Sequence, residues 1–159
     1  MNIADFANPT FEYDPSDPAA FRAGMMRPGK ELGASQTGVS LYELPPGTSN
    51  CPYHYEYAEE EWAMPLDGPV TLRDPDGEHV LAPMQLAFFP RGPEGAHQLR
   101  NDGDRPVRML MFGAVNPIAA TVYPDSDKIG IWTGNGEDDG MFRRGSKVEY
   151  YTDQPGVDS

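Results

Sequence analysis

The chain has 159 residues, the size of one ordinary domain, and a fold of that length buries roughly two thirds of the surface its unfolded chain exposes. Against 25 Asp and Glu there are only 12 Lys and Arg, a formal charge of −13 that repels phosphate backbones and anionic lipid surfaces and argues against nucleic-acid or membrane partners. Cys51 is the single cysteine, so no intrachain disulfide framework can form, and neither a basic-apolar leader nor a membrane-length apolar run is visible; a cytoplasmic protein is expected.

The 17 Gly and 17 Pro fall at short intervals and leave little room for long helices, which is how an all-β chain reads. Residues 1–37 are polar and Pro-punctuated and are taken as an N-terminal arm, with Asp17-Pro18-Ala19-Ala20-Phe21 as its one helical turn. Gly38–Leu44 is rich in β-formers and stops at Pro45-Pro46-Gly47, whose φ values suit a turn. Strands are then predicted at Tyr53–Tyr57, Glu61–Leu66, Val70–Arg73, Glu78–Ala82, Leu86–Phe89, His97–Arg100 and Val107–Phe112, separated by Asp67-Gly68, Asp74-Pro75-Asp76-Gly77, Pro83 and Asn101-Asp102-Gly103-Asp104. Short strands about ten residues apart imply a sandwich or barrel. Tyr123–Trp132 either folds over an opening or extends a sheet. Residues 135–159 form an acidic C-terminal extension in which the sequence allows a last strand at Lys147–Thr152, followed by disorder.

In Tyr53-His54-Tyr55-Glu56-Tyr57, strand alternation sends His54 and Glu56 to one face and the three tyrosines to the other. With Glu60 four residues on and His97 further downstream, four nitrogen and oxygen donors can surround one divalent ion. Two imidazoles and carboxylates suit Fe, Mn, Ni or Zn. The tyrosine face, with the arm, is expected to meet a second sheet or subunit. Trp62, Phe88, Leu99, Met109 and Met111 are candidate pocket walls, and Gln98, Arg91 and Arg100 candidates for the mouth. His79 reads as an exposed strand residue and Cys51 as a small apolar one.

These residues carry a resemblance to a known family. Gly47, His54-Tyr55-Glu56, Glu60 and Gly68 are similar to the first motif of the cupin superfamily, and Pro90, Gly92, His97 and Asn101 to its second, with two additional residues before the histidine. Gly47 to Gly113 thus resembles a small single-domain cupin of bacterial type. The resemblance implies an all-β fold, the cupin double-stranded β-helix or jelly-roll barrel, over residues 38–134, between the arm and the extension. It also implies a divalent metal held by His54, Glu60 and His97, with Glu56 where the second histidine of the motif normally stands, and Pro83-Met84-Gln85 in place of the usual Pro-Gly-Asp turn. A homodimer is the default that the resemblance implies.

Two functions from different classes follow. One is a metal-dependent enzyme acting on a small oxygenated substrate, of dioxygenase, isomerase or lyase type, with Glu56 or Glu60 moving a proton. The alternative is a non-catalytic cupin that binds a small molecule or sugar. The behaviour of Glu56, ligand or free base, separates them.

Overall fold

The computed structural model describes residues 2–156. In chain order its strands are β1 Gly24–Met26, β2 Thr37–Leu44, β3 Tyr55–Glu56, β4 Glu61–Pro65, β5 Val70–Asp74, β6 Gly77–Leu81, β7 Ala87–Phe89, β8 Gln98–Arg100, β9 Val107–Ala114, β10 Ala119–Tyr123, β11 Lys128–Trp132 and β12 Gly140–Arg143. One helical turn, α1 Pro28–Glu31, covers the outside of β2. The pairings are antiparallel and build three sheets, in the orders β1-β2-β9-β4-β7, β12-β11-β10-β3 and β6-β5-β8.

The five-stranded sheet rests on the β2–β9 ladder, which runs in unbroken register from Thr37 opposite Ala114 to Leu44 opposite Val107. Val107, Met109 and Met111 alternate inward along β9 and are buried, while Leu110 and Phe112 on the other face are only half covered. Ala63 on β4, Phe89 on β7, Leu72 on β5 and Leu99 on β8 complete this core from the other strands. Each fully buried Leu or Met there contributes roughly 1.5–3 kcal/mol of transfer free energy. A second, smaller core of Tyr53, Tyr55, Ala96 and Val122 lies near β3 and β10.

Asn101 ties the core to its turns. Its side chain is fully buried; Nδ2 donates to the carbonyls of Leu44 at 2.7 Å and Arg105 at 2.8 Å, and Oδ1 accepts the Gly103 amide at 2.9 Å. Its carbonyl accepts the Gly47 amide at 2.8 Å. Two residues of the motifs, Gly47 and Asn101, therefore meet in one turn network and act on the framework.

Several expectations change in the structure. Tyr53 and Tyr55 are 9% and 6% exposed and belong to the molecule's own second core, because β3 is covered by β10 and the loop before β8; only Tyr57 is left on the surface. Trp62 and Phe88 lie on the outer face of their sheet, with ring centroids 4.5 Å apart, and are not pocket walls, since Glu61, Ala63 and Phe89 hold the inward positions of β4 and β7. Leu99, Met109 and Met111 do face inward. Segment 123–132 extends a sheet as the end of β10 and β11. The strand of the C-terminal extension is β12, and 147–152 forms coil and turn, because Gly140–Arg143 completes the register on β11. The expected terminal disorder falls in part on residues 157–159, which lie outside the described residues. Among the described residues no helix is long and apolar enough to cross a membrane.

Candidate metal centre

His54 and His97 stand directly opposite each other in an isolated antiparallel bridge just outside β3 and β8. The His54 amide donates to the His97 carbonyl at 3.1 Å and the His97 amide to the His54 carbonyl at 2.8 Å, so both side chains leave the same face. Their ring centroids are 4.7 Å apart. Phe89, stacked on His97 at 3.7 Å and 8°, closes the side of the site toward the core.

The third member comes from the facing sheet. Glu61, the first residue of β4, places Oε2 3.8 Å from His54 Nε2 and 3.7 Å from His97 Nε2, and one donor atom of each residue lies within 4.8 Å of the other two. Glu60 is not in this group; its side chain is exposed. The physical reason lies in the backbone. The Glu60 carbonyl accepts the Ala114 amide at 3.1 Å, an approach that Gly113 admits because a Cβ there would come within 2.5 Å of that oxygen, and in this register Glu61 pairs with Gly113 and turns inward. Sequence reading missed Glu61 by one residue. The available signal was parity, since Glu61 shares a face with buried Ala63 and Pro65, whereas Glu60 shares one with Trp62 and Met64.

Both imidazoles are prepared as ligands through Nε2. His97 Nδ1 is 2.9 Å from the Gly95 carbonyl and His54 Nδ1 3.0 Å from the Pro52 carbonyl; each Nδ1–H donates to its carbonyl, which leaves a lone pair on each Nε2. His97 Nε2 is buried with no hydrogen-bond partner among the described residues. Burial first, and the neighbouring His54 second, lower the His97 pKa to about 3; burial also lowers that of His54, so both rings are neutral at physiological pH. Burial, then Glu56 and Glu59, raise the Glu61 pKa to about 7. Two neutral imidazoles and a carboxyl group short of counter-charge fit a divalent cation: it would use the orphaned Nε2 and supply the positive charge that Glu61 lacks.

Glu56 is next to this triad and held differently. Its Oε1 lies 3.9 Å from His54 Nε2, while the Thr121 hydroxyl is 2.8 and 2.9 Å from its two carboxylate oxygens and donates to them. Trp132 Nε1–H in turn donates to Thr121 Oγ1 at 3.2 Å. Burial raises the Glu56 pKa, the Thr121 hydrogen bond opposes that, and Glu59 adds to it. Thr121 and Trp132 were not singled out in the sequence, because β10 and β11 lie outside the motifs.

The remaining candidates lie elsewhere. Arg100 is engaged by Asp102 at 2.6 Å and Glu78 at 3.1 Å, Gln98 donates to the Cys51 carbonyl, and Arg91 is exposed. His79 pairs with Asp74 on the surface. Cys51 Sγ is 3.4 Å from His54 Nδ1, and burial pushes its thiol well above the ordinary range, so it is no ready nucleophile.

Fold and site together define a class: an antiparallel double-stranded β-helix whose two histidines and one glutamate converge inside the barrel. The fold is that of the cupin superfamily, and the cupin domain family matches residues 40–113. It is similar to a sugar phosphate isomerase of the cupin superfamily from Silicibacter pomeroyi, with 27% identity, 91% of this chain and 94% of that chain covered, and a TM-score of 0.78. A protein of Acidithiobacillus ferrooxidans proposed to be a sugar phosphate isomerase shares the fold at 23% identity over 82% of this chain and 81% of its own, TM-score 0.75. So does a polyketide cyclase of Streptomyces resistomycificus, at 20% identity over 73% and 80%, TM-score 0.59. No curated protein matches the sequence.

Proposed function

We propose that this cupin is a metal-dependent isomerase of small hydroxy-carbonyl compounds, with His54, Glu61 and His97 holding a divalent ion of the Fe, Mn, Ni or Zn type. The observation that carries the reading is the buried, unpartnered His97 Nε2 facing the Glu61 carboxylate beside His54. The likeness to the Silicibacter protein supports the isomerase class.

His54, Glu61 and His97 would hold a divalent ion, which would supply Lewis-acid polarisation of a carbonyl or hydroxyl oxygen and so acidify the neighbouring C–H. Glu56 is the group placed to handle that proton. It is next to the triad without belonging to it, and the Thr121 hydroxyl fixes its carboxylate by both oxygens. In an aldose–ketose interconversion Glu56 takes the proton from the carbon α to the carbonyl and returns it to the former carbonyl carbon, while the hydroxyl proton of the α carbon passes to the former carbonyl oxygen, so the C=O moves by one carbon. No external oxidant or reductant enters the balance. Phe89, stacked on His97, and buried Met111 make the core side of the site apolar.

Solvent-deuterium incorporation into small aldoses and ketoses, followed by NMR on metal-loaded protein, tests this. Glu56→Gln should retain the metal and lose exchange by at least about a hundredfold, the usual contribution of a positioned acid–base group. Wild-type protein that binds metal yet exchanges no substrate proton would contradict the isomerase reading and leave the non-catalytic cupin.

A further inference from the structure

A cavity of about 130 Å³ opens beside Glu61. Its walls include Ser40, Tyr42, Glu59, Glu61, Met111 and Val115, and no Lys, Arg or His lines it. Glu61 therefore belongs at once to the metal triad and to this cavity, which makes the cavity the place where a molecule can lie next to the ion.

The charges there are one-sided. Glu59 lines the cavity while its Oε1 accepts the Asn116 amide at 2.7 Å, and Glu56 lies on the other side of Glu61. A divalent ion held by Glu61 would be balanced by Glu56 and Glu59, and the three carboxylates together would leave the occupied site formally negative. On the separate β6-β5-β8 sheet, Arg100 is paired to Asp102 and Glu78, and Arg73 to Asp125. Arg27, whose field reaches Tyr42, lines a separate groove with Lys30 and Glu31. The polar groups the cavity does offer are hydroxyls and carboxylates, which accept and donate to substrate OH groups.

We infer that this site takes an uncharged polyhydroxylated substrate and discriminates against its phosphate ester, the reverse of what the name of the Silicibacter relative suggests. The inference rests on the metal-dependent reading above. A phosphate dianion would enter a partly buried pocket beside uncompensated carboxylates with no fork of guanidinium donors to receive it, and specificity by such like-charge juxtaposition is a repulsive device. A neutral sugar pays no such cost.

Calorimetric titration of Mn-loaded protein with ribose and with ribose monophosphate tests it. Ribose should bind at least tenfold more tightly, and the gap should narrow by threefold or more on raising the salt, since the screening length falls from roughly 30 Å at 0.01 M to about 10 Å at 0.1 M. Glu59→Gln keeps the oxygen that accepts the Asn116 amide and removes the charge, and should also narrow the gap. Equal or tighter binding of the phosphate ester, a gap indifferent to both salt and Glu59→Gln, or no binding of either sugar would overturn the inference. Metal content, measured on the same sample, separates the cases: if the ion is bound and the ester preferred, the metal site stands and the substrate class falls; if no ion binds, both fall.

Discussion

Glu61→Gln is expected to weaken divalent-ion binding by at least about a hundredfold, beyond the 10–100-fold typical of losing an outer-shell partner, while Glu60→Gln leaves it within about threefold. The two residues are adjacent and chemically identical, so only the parity of β4 distinguishes them, and the pairing of Glu61 with Gly113 and of Ala63 with Met111 fixes that parity. The metal-free proteins should show the opposite order of stability. Because the Glu61 pKa is raised in the folded state to about 7, its ionisation costs stability as pH climbs from the ordinary carboxylate range through 7. Glutamine carries no such cost. At pH 8 metal-free Glu61→Gln should be more stable than wild type by about 2 kcal/mol, a figure already reduced because roughly a quarter of the side chain is exposed. The difference should vanish near pH 4. Isothermal titration with Zn and Mn, and denaturant melts at the two pH values, check both halves. Equal loss of affinity in both variants would contradict the assignment.

Gly95→Ala should be the most damaging single methyl group in the site region. A Cβ at Gly95 would fall 1.7 Å from the Pro90 carbonyl oxygen, and that neighbour is backbone, which cannot rotate away. The loop must move, at a cost above about 3 kcal/mol, beyond ordinary overpacking. It also carries the Gly95 carbonyl that accepts His97 Nδ1–H, so the orientation of His97 should be lost with it and metal affinity should fall by about tenfold or more. Gly145→Ala is the matched control, since a Cβ there meets no atom within 4 Å, and it should change neither property measurably. Thermal melts with and without metal give the two readouts. A Gly95→Ala protein as stable as wild type would mean that the turn before His97 is not held as the structure places it.

The strands between residues 37 and 114 were legible because paired turn residues punctuate them and apolar residues alternate within them, as in β5, where Val70 and Leu72 face in and Thr71 and Arg73 do not. The two histidines were legible because they fall at the histidine positions of two motifs that resemble those of the cupin superfamily. What the sequence left open was decided by contacts between distant segments. Three glutamates in a row look alike until parity is counted from Ala63 and Pro65, and the pairing with Gly113, more than fifty residues away, fixes Glu61 as the inward one. Phe88 and Phe89 look alike in sequence, and pairing with Glu61 selects Phe89 for the inside, where it stacks on His97. Tyr53 and Tyr55 were expected to meet a second sheet or subunit, and it is β10, Ala119–Tyr123, paired to β3, that encloses them within the chain. The Thr121–Trp132 support of Glu56 depends on that same strand and was hidden with it.

The most direct test is the metal content of protein purified without a chelator or a metal affinity column, measured by elemental mass spectrometry for wild type and His97→Ala. The structure leads to about one equivalent of Fe, Mn, Ni or Zn in the wild type, because His97 Nε2 is buried with no other partner to satisfy it, and to less than about a tenth of that in the variant, which removes a ligand outright. Wild-type protein that holds no divalent metal, even after reconstitution, or a His97→Ala protein that holds as much as wild type, would contradict it.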